Sequence, residues 1–248
     1  MKRIKCVISY DGTDFAGFQI QPKQRTVQGE LEKGLMNIHK GTPIRIHPSG
    51  RTDAGVHALR QVFHFDTPLD LKAGNWQQAL NTVLPDDLVV KEVNVVESTF
   101  HARYSAREKE YRYYVLNQAE KDVFNRHYVY QFPYQLELEP MQESCKYFKG
   151  THDFTTFSSA KASIKGSKIR TLTHASCHIS NGKIEFIFRG DGFLYNMVRI
   201  IVGALLDIGQ GRRNPEDIVE LLKQKDRRLL GKTAPPQGLY LWNVRYEE

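Results

Sequence analysis

The chain has 248 residues, enough to bury one large core or two modest ones, and 40% hydrophobic with 25% charged residues is the make-up of a globular protein. No apolar run approaches the roughly 18 residues that a membrane span needs, and Cys6, Cys145 and Cys177 show neither a CxxC nor a Cys/His spacing, so neither a disulfide framework nor a zinc site is indicated. The net charge is +7, carried mostly after Tyr104, where 22 Lys and Arg stand against 17 Asp and Glu; that sign fits a polyanionic partner.

The N-terminus, Met1-Lys2-Arg3-Ile4-Lys5, runs straight into alternation and lacks the apolar core of a signal peptide, which points to the cytoplasm. Ile4, Cys6, Ile8 and Tyr10 alternate with Lys5, Val7 and Ser9, a strand pattern that Asp11-Gly12-Thr13 breaks as a turn. Thr26 is placed to cap a helix whose apolar face is Val27, Leu31, Leu35 and Ile38, ended by Gly41 and Pro43. Residues 44–47 read as a short strand and Gln61 to Thr67 as another. Asn75 is the expected cap of a helix with Trp76, Leu80 and Val83, stopped by Pro85, and Leu88 to Val96 reads as a further strand.

The second part repeats the theme. Tyr111 to Leu116 is strand-like and aromatic, with two of Tyr111, Tyr113 and Tyr114 on one face. A helix with Pro140 at its first position carries Met141, Cys145 and Phe148 and stops at Gly150. Leu172 to Ile179 and Ile184 to Phe188 form a strand pair across Asn181-Gly182. Met197, Ile200, Ile201, Ala204, Leu205 and Ile208 make the longest apolar helix, with Arg199 inside it. Asn214-Pro215 starts a last helix, and Leu239 to Tyr246 a last strand. The expected fold is α+β: two pseudo-duplicated α/β domains, 1–104 and 105–248, with mostly antiparallel sheets, helices on one face and an active-site cleft between the domains.

One polar loop stands out. In Ser49-Gly50-Arg51-Thr52-Asp53-Ala54-Gly55-Val56-His57-Ala58 a single carboxylate lies between glycines and beside a guanidinium, the kind of loop on which catalytic groups are mounted. The same residues can be read as a turn in which Asp53 ties down its own backbone. Arg199, among apolar residues, either extends its head to water or pairs with a carboxylate, for which Asp53 is a candidate. His57 and His64 are candidate acid–base groups that equally suit a loop or a strand. Lys161, Lys165, Lys168 and Arg170, with several serines and no acid, read as a basic loop suited either to phosphate contact or to a solvated linker. No GxGxxG at a strand–helix junction and no P-loop is present, so no nucleotide cofactor is expected.

Several blocks together resemble the bacterial tRNA pseudouridine synthase A family. They are Tyr10-Asp11-Gly12-Thr13 with Gly17-Phe18-Gln19 and Thr26-Val27-Gln28; Gly50 to Ala58; Phe100-His101-Ala102-Arg103 with Tyr111-Arg112-Tyr113; Gly150 to Phe157; Phe193 with Met197-Val198-Arg199; and Ala234-Pro235 with Gly238 to Leu241. The resemblance implies an isomerase that converts uridine to pseudouridine on the 3′ side of the anticodon stem-loop of tRNA, with the target base flipped out. It implies Asp53 as the catalytic aspartate, by an acylal, Michael-adduct or glycal route; Arg199 as its paired arginine; and Tyr111 as a ring that stacks on the base and serves removal of the C5 proton. Arg51 is assigned to the RNA backbone or to the vacated stack. Neither metal, redox cofactor nor ATP is expected, and the assembly implied is a homodimer sharing one tRNA. A non-catalytic tRNA-binding or RNA-chaperone protein of the same fold is the alternative. A metal-dependent nuclease would need clustered carboxylates or histidines, which a lone Asp53 does not supply.

Overall fold

The computed structural model describes residues 1–159 and 166–247. In chain order the elements are β1 (Lys2–Tyr10), α1 (Val27–Ile38), β2 (His47–Pro48), β3 (His57–Thr67), α2 (Ala73–Val83), β4 (Leu88–Val96), β5 (Ala106–Leu116), β6 (Tyr130–Gln131), α3 (Leu138–Tyr147), β7 (Gly150–Asp153), β8 (Ile169–Ser180), β9 (Lys183–Gly190), α4 (Met197–Gly209), α5 (Asp217–Gln224) and β10 (Leu239–Tyr246). They form two compact units, Met1–Arg107 with Tyr240–Glu248, and Glu108–Leu239. The closing strand, expected in the second domain, belongs to the first unit.

In the first unit the strands lie in the order β4-β1-β3-β10. β1 is antiparallel to β3 and β4, whereas β10 runs parallel to β3, with Tyr240 opposite His57. The alternation of β1 works as its sequence requires: Ile4, Cys6 and Ile8 are fully buried and register with Phe65, Phe63 and Gln61 of β3. Helix α2 closes that face by setting Trp76 edge-on to Phe65, ring centroids 5.3 Å apart. Thr26 caps α1 as expected, its hydroxyl accepting from the Gly29 amide at 3.2 Å. The opposite face of β3 carries His64, which meets His47 and His101 at 5.0 and 4.7 Å between ring centroids.

In the second unit the order is β5-β9-β8-β7, antiparallel along that path, with the short β6 parallel to β5. Tyr111, Tyr113 and Val115 pair with Phe188, Phe186 and Ile184 on one buried face. Helices α3 and α4 serve that side; Gln142 of α3 donates to the Cys177 carbonyl of β8. α4 buries ten of its residues, each large aliphatic side chain contributing about 1.5–3 kcal/mol of apolar transfer. The other face holds a charged network. Glu185, 4% exposed, accepts from Arg112 at 2.9 Å and from the Tyr114 hydroxyl at 2.8 Å.

Several boundaries move from their expected places, each for a local reason. Asn75 lies inside α2, which begins at Ala73 with no side-chain cap; the small Ala73-Gly74 pair can enter the first turn unaided. Pro140 is the third residue of α3, not the first; its missing N–H costs nothing anywhere in the first turn, where amides have no helical partner. α5 starts at Asp217, because Asn214 and Pro215 are spent on turns that accept from the Asp217 and Ile218 amides. The strand expected at 44–47 shrinks to β2, and β3 begins at His57, so the polar loop opens directly from a strand end.

Candidate active site

The loop at 49–56 is pinned at four points within the first unit. The Ser49 hydroxyl donates to Gln61 at 2.5 Å, and Gln61 returns its amide to the Gly50 carbonyl at 3.0 Å. Thr52, 7% exposed, meets the Tyr10 hydroxyl at 2.8 Å. The Thr52 carbonyl accepts from the Phe18 amide at 3.1 Å, and the Gly55 amide donates to Phe15 at 3.3 Å. His57 is buried and stacked on Tyr240 at 4.7 Å. Its Nδ1 accepts from the Gly12 amide at 3.0 Å and stands 3.1 Å from an Asp11 carboxylate oxygen.

These contacts hold the backbone on both sides of Asp53 and leave its side chain half-buried, with Arg51 and Ala54 exposed beside it. Two glycines make the approach of the preceding turn possible. A Cβ on Gly12 would lie 2.1 Å from the Val56 carbonyl oxygen. Gly17, at φ +98°, presses against Thr52 and Ala54, a backbone state that side chains rarely tolerate. Burial pushes the Tyr10 phenol well above its ordinary range, so it stays a neutral hydrogen-bonding partner for Thr52.

His57 and His64, candidates for proton transfer by residue type, are held in structural roles. His64 Nδ1 accepts from the Ala102 amide at 3.1 Å. Burial, then the nearby His101 and His47, push its pKa down to about 4, so it is neutral at physiological pH.

Tyr111 and Arg199 belong to the second unit. Tyr111, 8% exposed, meets Phe193 edge-to-face at 4.9 Å. Three residues on, Asn196 takes a left-handed conformation (φ 60°) that starts α4. Its side-chain oxygen accepts from Arg199 Nη1 at 2.9 Å, while Arg199 Nε donates to the Ala234 carbonyl at 2.8 Å. The Tyr113 hydroxyl binds the Pro235 carbonyl at 2.7 Å. The segment Phe193–Arg199 and the strap at Ala234–Pro235 are thereby fixed together around the arginine. Phe193 and Ala234, which support the tyrosine and the arginine, lay in the blocks quoted above, whereas Asn196 did not, and nothing in the three residue types announced the contacts.

The basic cluster is partly visible. Lys161 and Lys165 lie outside the described residues. Lys168 and Arg170 are half-buried; Arg170 belongs to β8, opposite His152, and donates to the Ser167 carbonyl at 3.0 Å. Among the described residues no group of three or more His, Cys, Asp and Glu is placed to hold a metal ion, and no helix is long and apolar enough to cross a membrane.

Comparison with known proteins gives a consistent picture. Residues 6–105 and 144–247 match the family described as tRNA pseudouridine synthase. The chain is 63% identical over 248 residues to tRNA pseudouridine synthase A of Oceanobacillus iheyensis, covering 100% of this chain and 98% of that one. It is 58% identical over 247 residues to the protein of the same name from Geobacillus kaustophilus, covering 100% and 95%. It is 53% identical over 246 residues to tRNA pseudouridine synthase A 1 of Bacillus cereus, covering 99% of each.

Proposed function

We propose, from the premise that this chain belongs to the tRNA pseudouridine synthase family, that Asp53 is the carboxylate about which its chemistry turns. The reaction is the isomerisation of uridine to pseudouridine in tRNA. The N1–C1′ bond breaks, the uracil turns, and a C5–C1′ bond forms; the proton lost from C5 is matched by one gained at N1. Nothing is oxidised or reduced. The acylal, Michael-adduct and glycal routes all call on an ionised Asp53.

The observation that supports this reading is the pinned loop inside a chain-long match: its backbone is tied on both sides of Asp53, at Gly50 and Thr52 before it and Gly55 after it. We assign Arg199 as the cation that keeps Asp53 ionised; such a neighbour lowers a carboxylate pKa by roughly 1–3 units. Support for that role is its guanidinium held by Ala234 and Asn196. Tyr111 is assigned to stack on the extruded uracil and to serve removal of the C5 proton, and Arg51 to the RNA backbone or the vacated stack. Lys161, Lys165, Lys168 and Arg170 are assigned to phosphates. The substrate uridines are taken to lie on the 3′ side of the anticodon stem-loop, the enzyme to be cytoplasmic with its tRNA, and the assembly to be a homodimer.

The test is Asp53→Asn, which keeps shape and removes charge. With tRNA tritiated at uridine C5, tritium release falls to background, while tRNA affinity stays within about threefold. A variant that keeps its release rate would refute the assignment. An RNA chaperone releases no tritium in either form. A metal-dependent nuclease shortens the tRNA and is stopped by EDTA.

A further inference from the structure

Beside the pinned loop, the first unit has a cavity of about 560 Å³ that the chemistry above does not use. Its lining comes from the turn after Gly17, the outer face of α1 and the segment leading to β2. Ile20 and Met36, 46% and 36% exposed, offer apolar surface together with Ile44. Gln19 adds an exposed amide, and Lys33 and Arg45 add cations. The single acid on the lining, Glu32, is half-buried, and one of its carboxylate oxygens accepts from Gln28 at 2.8 Å and from the Ile46 amide at 3.2 Å. Among the described residues Lys33 and Arg45 have no ion-pair partner.

Two further facts tie this cavity to the loop. Phe18 donates its amide to Thr52 at 3.1 Å and accepts from the Gln28 amide at 2.9 Å, so one residue touches both. Ile20 is two residues further on, a step of at most about 7 Å. In addition, residues 33–52 carry Lys33, Lys40, Arg45 and Arg51 and no acid at all. The formal charges of that stretch are therefore all positive, from Lys33 on the lining to Arg51, two residues before Asp53. Apolar surface for a base, an amide for its edge and free cations for phosphate are the ingredients of a nucleotide site.

We propose that this cavity is a second nucleotide subsite, taking an unstacked nucleotide that flanks the target uridine, with its base on Ile20 and Met36 and its phosphates on Lys33 and Arg45. The proposal rests on tRNA as the substrate. It gives the flipped state a second anchor: the binding of a neighbour in the cavity offsets part of the unstacking that extrusion of the target demands.

The experiment compares Lys33→Ala/Arg45→Ala with Lys91→Ala/Lys146→Ala, which removes the same charge from exposed positions outside the cavity lining, in binding of unmodified tRNA across a salt series. The first pair weakens binding about tenfold or more, and makes the slope of log affinity on log salt shallower by about 1.4–1.8, as loss of two phosphate contacts requires. The second pair matches wild type more closely on both counts. Photoreactive thiouridine placed beside the target crosslinks to the peptides bearing Ile20 or Met36. Equal affinity and slope for the two pairs, with no such crosslink, would overturn the subsite. So would a change confined to sedimentation, which would assign the cavity to a second copy of the chain. Failure of tritium release from the unmutated protein would sink the substrate assignment instead, and is read independently of either pair.

Discussion

Gly17 offers a direct test of whether the neighbouring turn sets the position of Asp53. At φ +98°, an alanine there pays the left-handed penalty, about 1–2 kcal/mol. Its methyl would also sit 3.0 Å from the Thr52 carbonyl oxygen and 3.2 Å from the Ala54 amide nitrogen. Gly41 provides the control in the same unit: φ is +93°, and nothing lies within 4 Å of its would-be Cβ. Gly41→Ala therefore carries the backbone term alone, a fall in Tm of roughly 2–8 °C at about 2–4 °C per kcal/mol. Gly17→Ala adds a contact term of about 1–3 kcal/mol, which the loop can relieve only by shifting Thr52–Ala54 by a few tenths of an ångström. Such a shift carries Asp53 with it. A misplacement of about 1 Å at a reacting group can cost 100-fold, so a roughly tenfold fall in single-turnover tritium release is expected. Thermal unfolding and tritium release at saturating tRNA are measured for both variants. If Gly17→Ala and Gly41→Ala lose the same Tm and both keep the wild-type rate, the pressed turn does not position the aspartate.

Two further outcomes follow from the cores. The pKa of His64 lies near 4 in the folded protein, against an ordinary 6.5, so the unfolded chain takes up the proton first. Its contribution to stability is present above about pH 6.5 and is lost as the pH falls through 4; unfolding measured from pH 7 to 4.5 should show that decline, flattened in His64→Gln, and an unchanged slope would refute it. In the second unit, Glu185→Ala strips Arg112 and Tyr114 of their shared buried acceptor. Arg112 keeps its pair with Glu110 at 2.7 Å, so the loss expected in chemical denaturation is that of hydrogen bonds to a charged acceptor, about 1.5–3 kcal/mol, and a loss under about 1 kcal/mol would show that the network is effectively solvated.

Periodicity was a good guide where side chains alternate between core and water. β4 and β10 occupy the spans read for them, and α1 and α4 carry the predicted apolar faces. It failed where backbone hydrogen bonding decides. The four-residue β7 pairs with β8 along Gly150–Asp153 with little apolar content to reveal it, and Asn214 serves a turn instead of a cap. The same division holds at the candidate site. The Asp53 loop is marked by its residue types, yet its anchors are not: Tyr10, Gln61 and His57 read as ordinary strand and loop residues, and it takes β1 beside β3 to bring Tyr10 and His57 to Thr52 and Gly12, and β2 beside β3 to bring Gln61 to Ser49. Parallel β10, with Tyr240 over His57, is a pairing between opposite ends of the chain, which no local pattern encodes.

That last pairing bears on how the polypeptide is made. Residues 1–107 reach solution first, but their sheet lacks the strand that supplies Tyr240, while Glu108–Leu239 is continuous. At about 5–20 residues per second on the ribosome, the earlier unit waits roughly 7–26 s for its final strand. The later-born unit can complete its core before the first-born one does, and the floor beneath His57 is laid only after all of Glu108–Leu239 has been made.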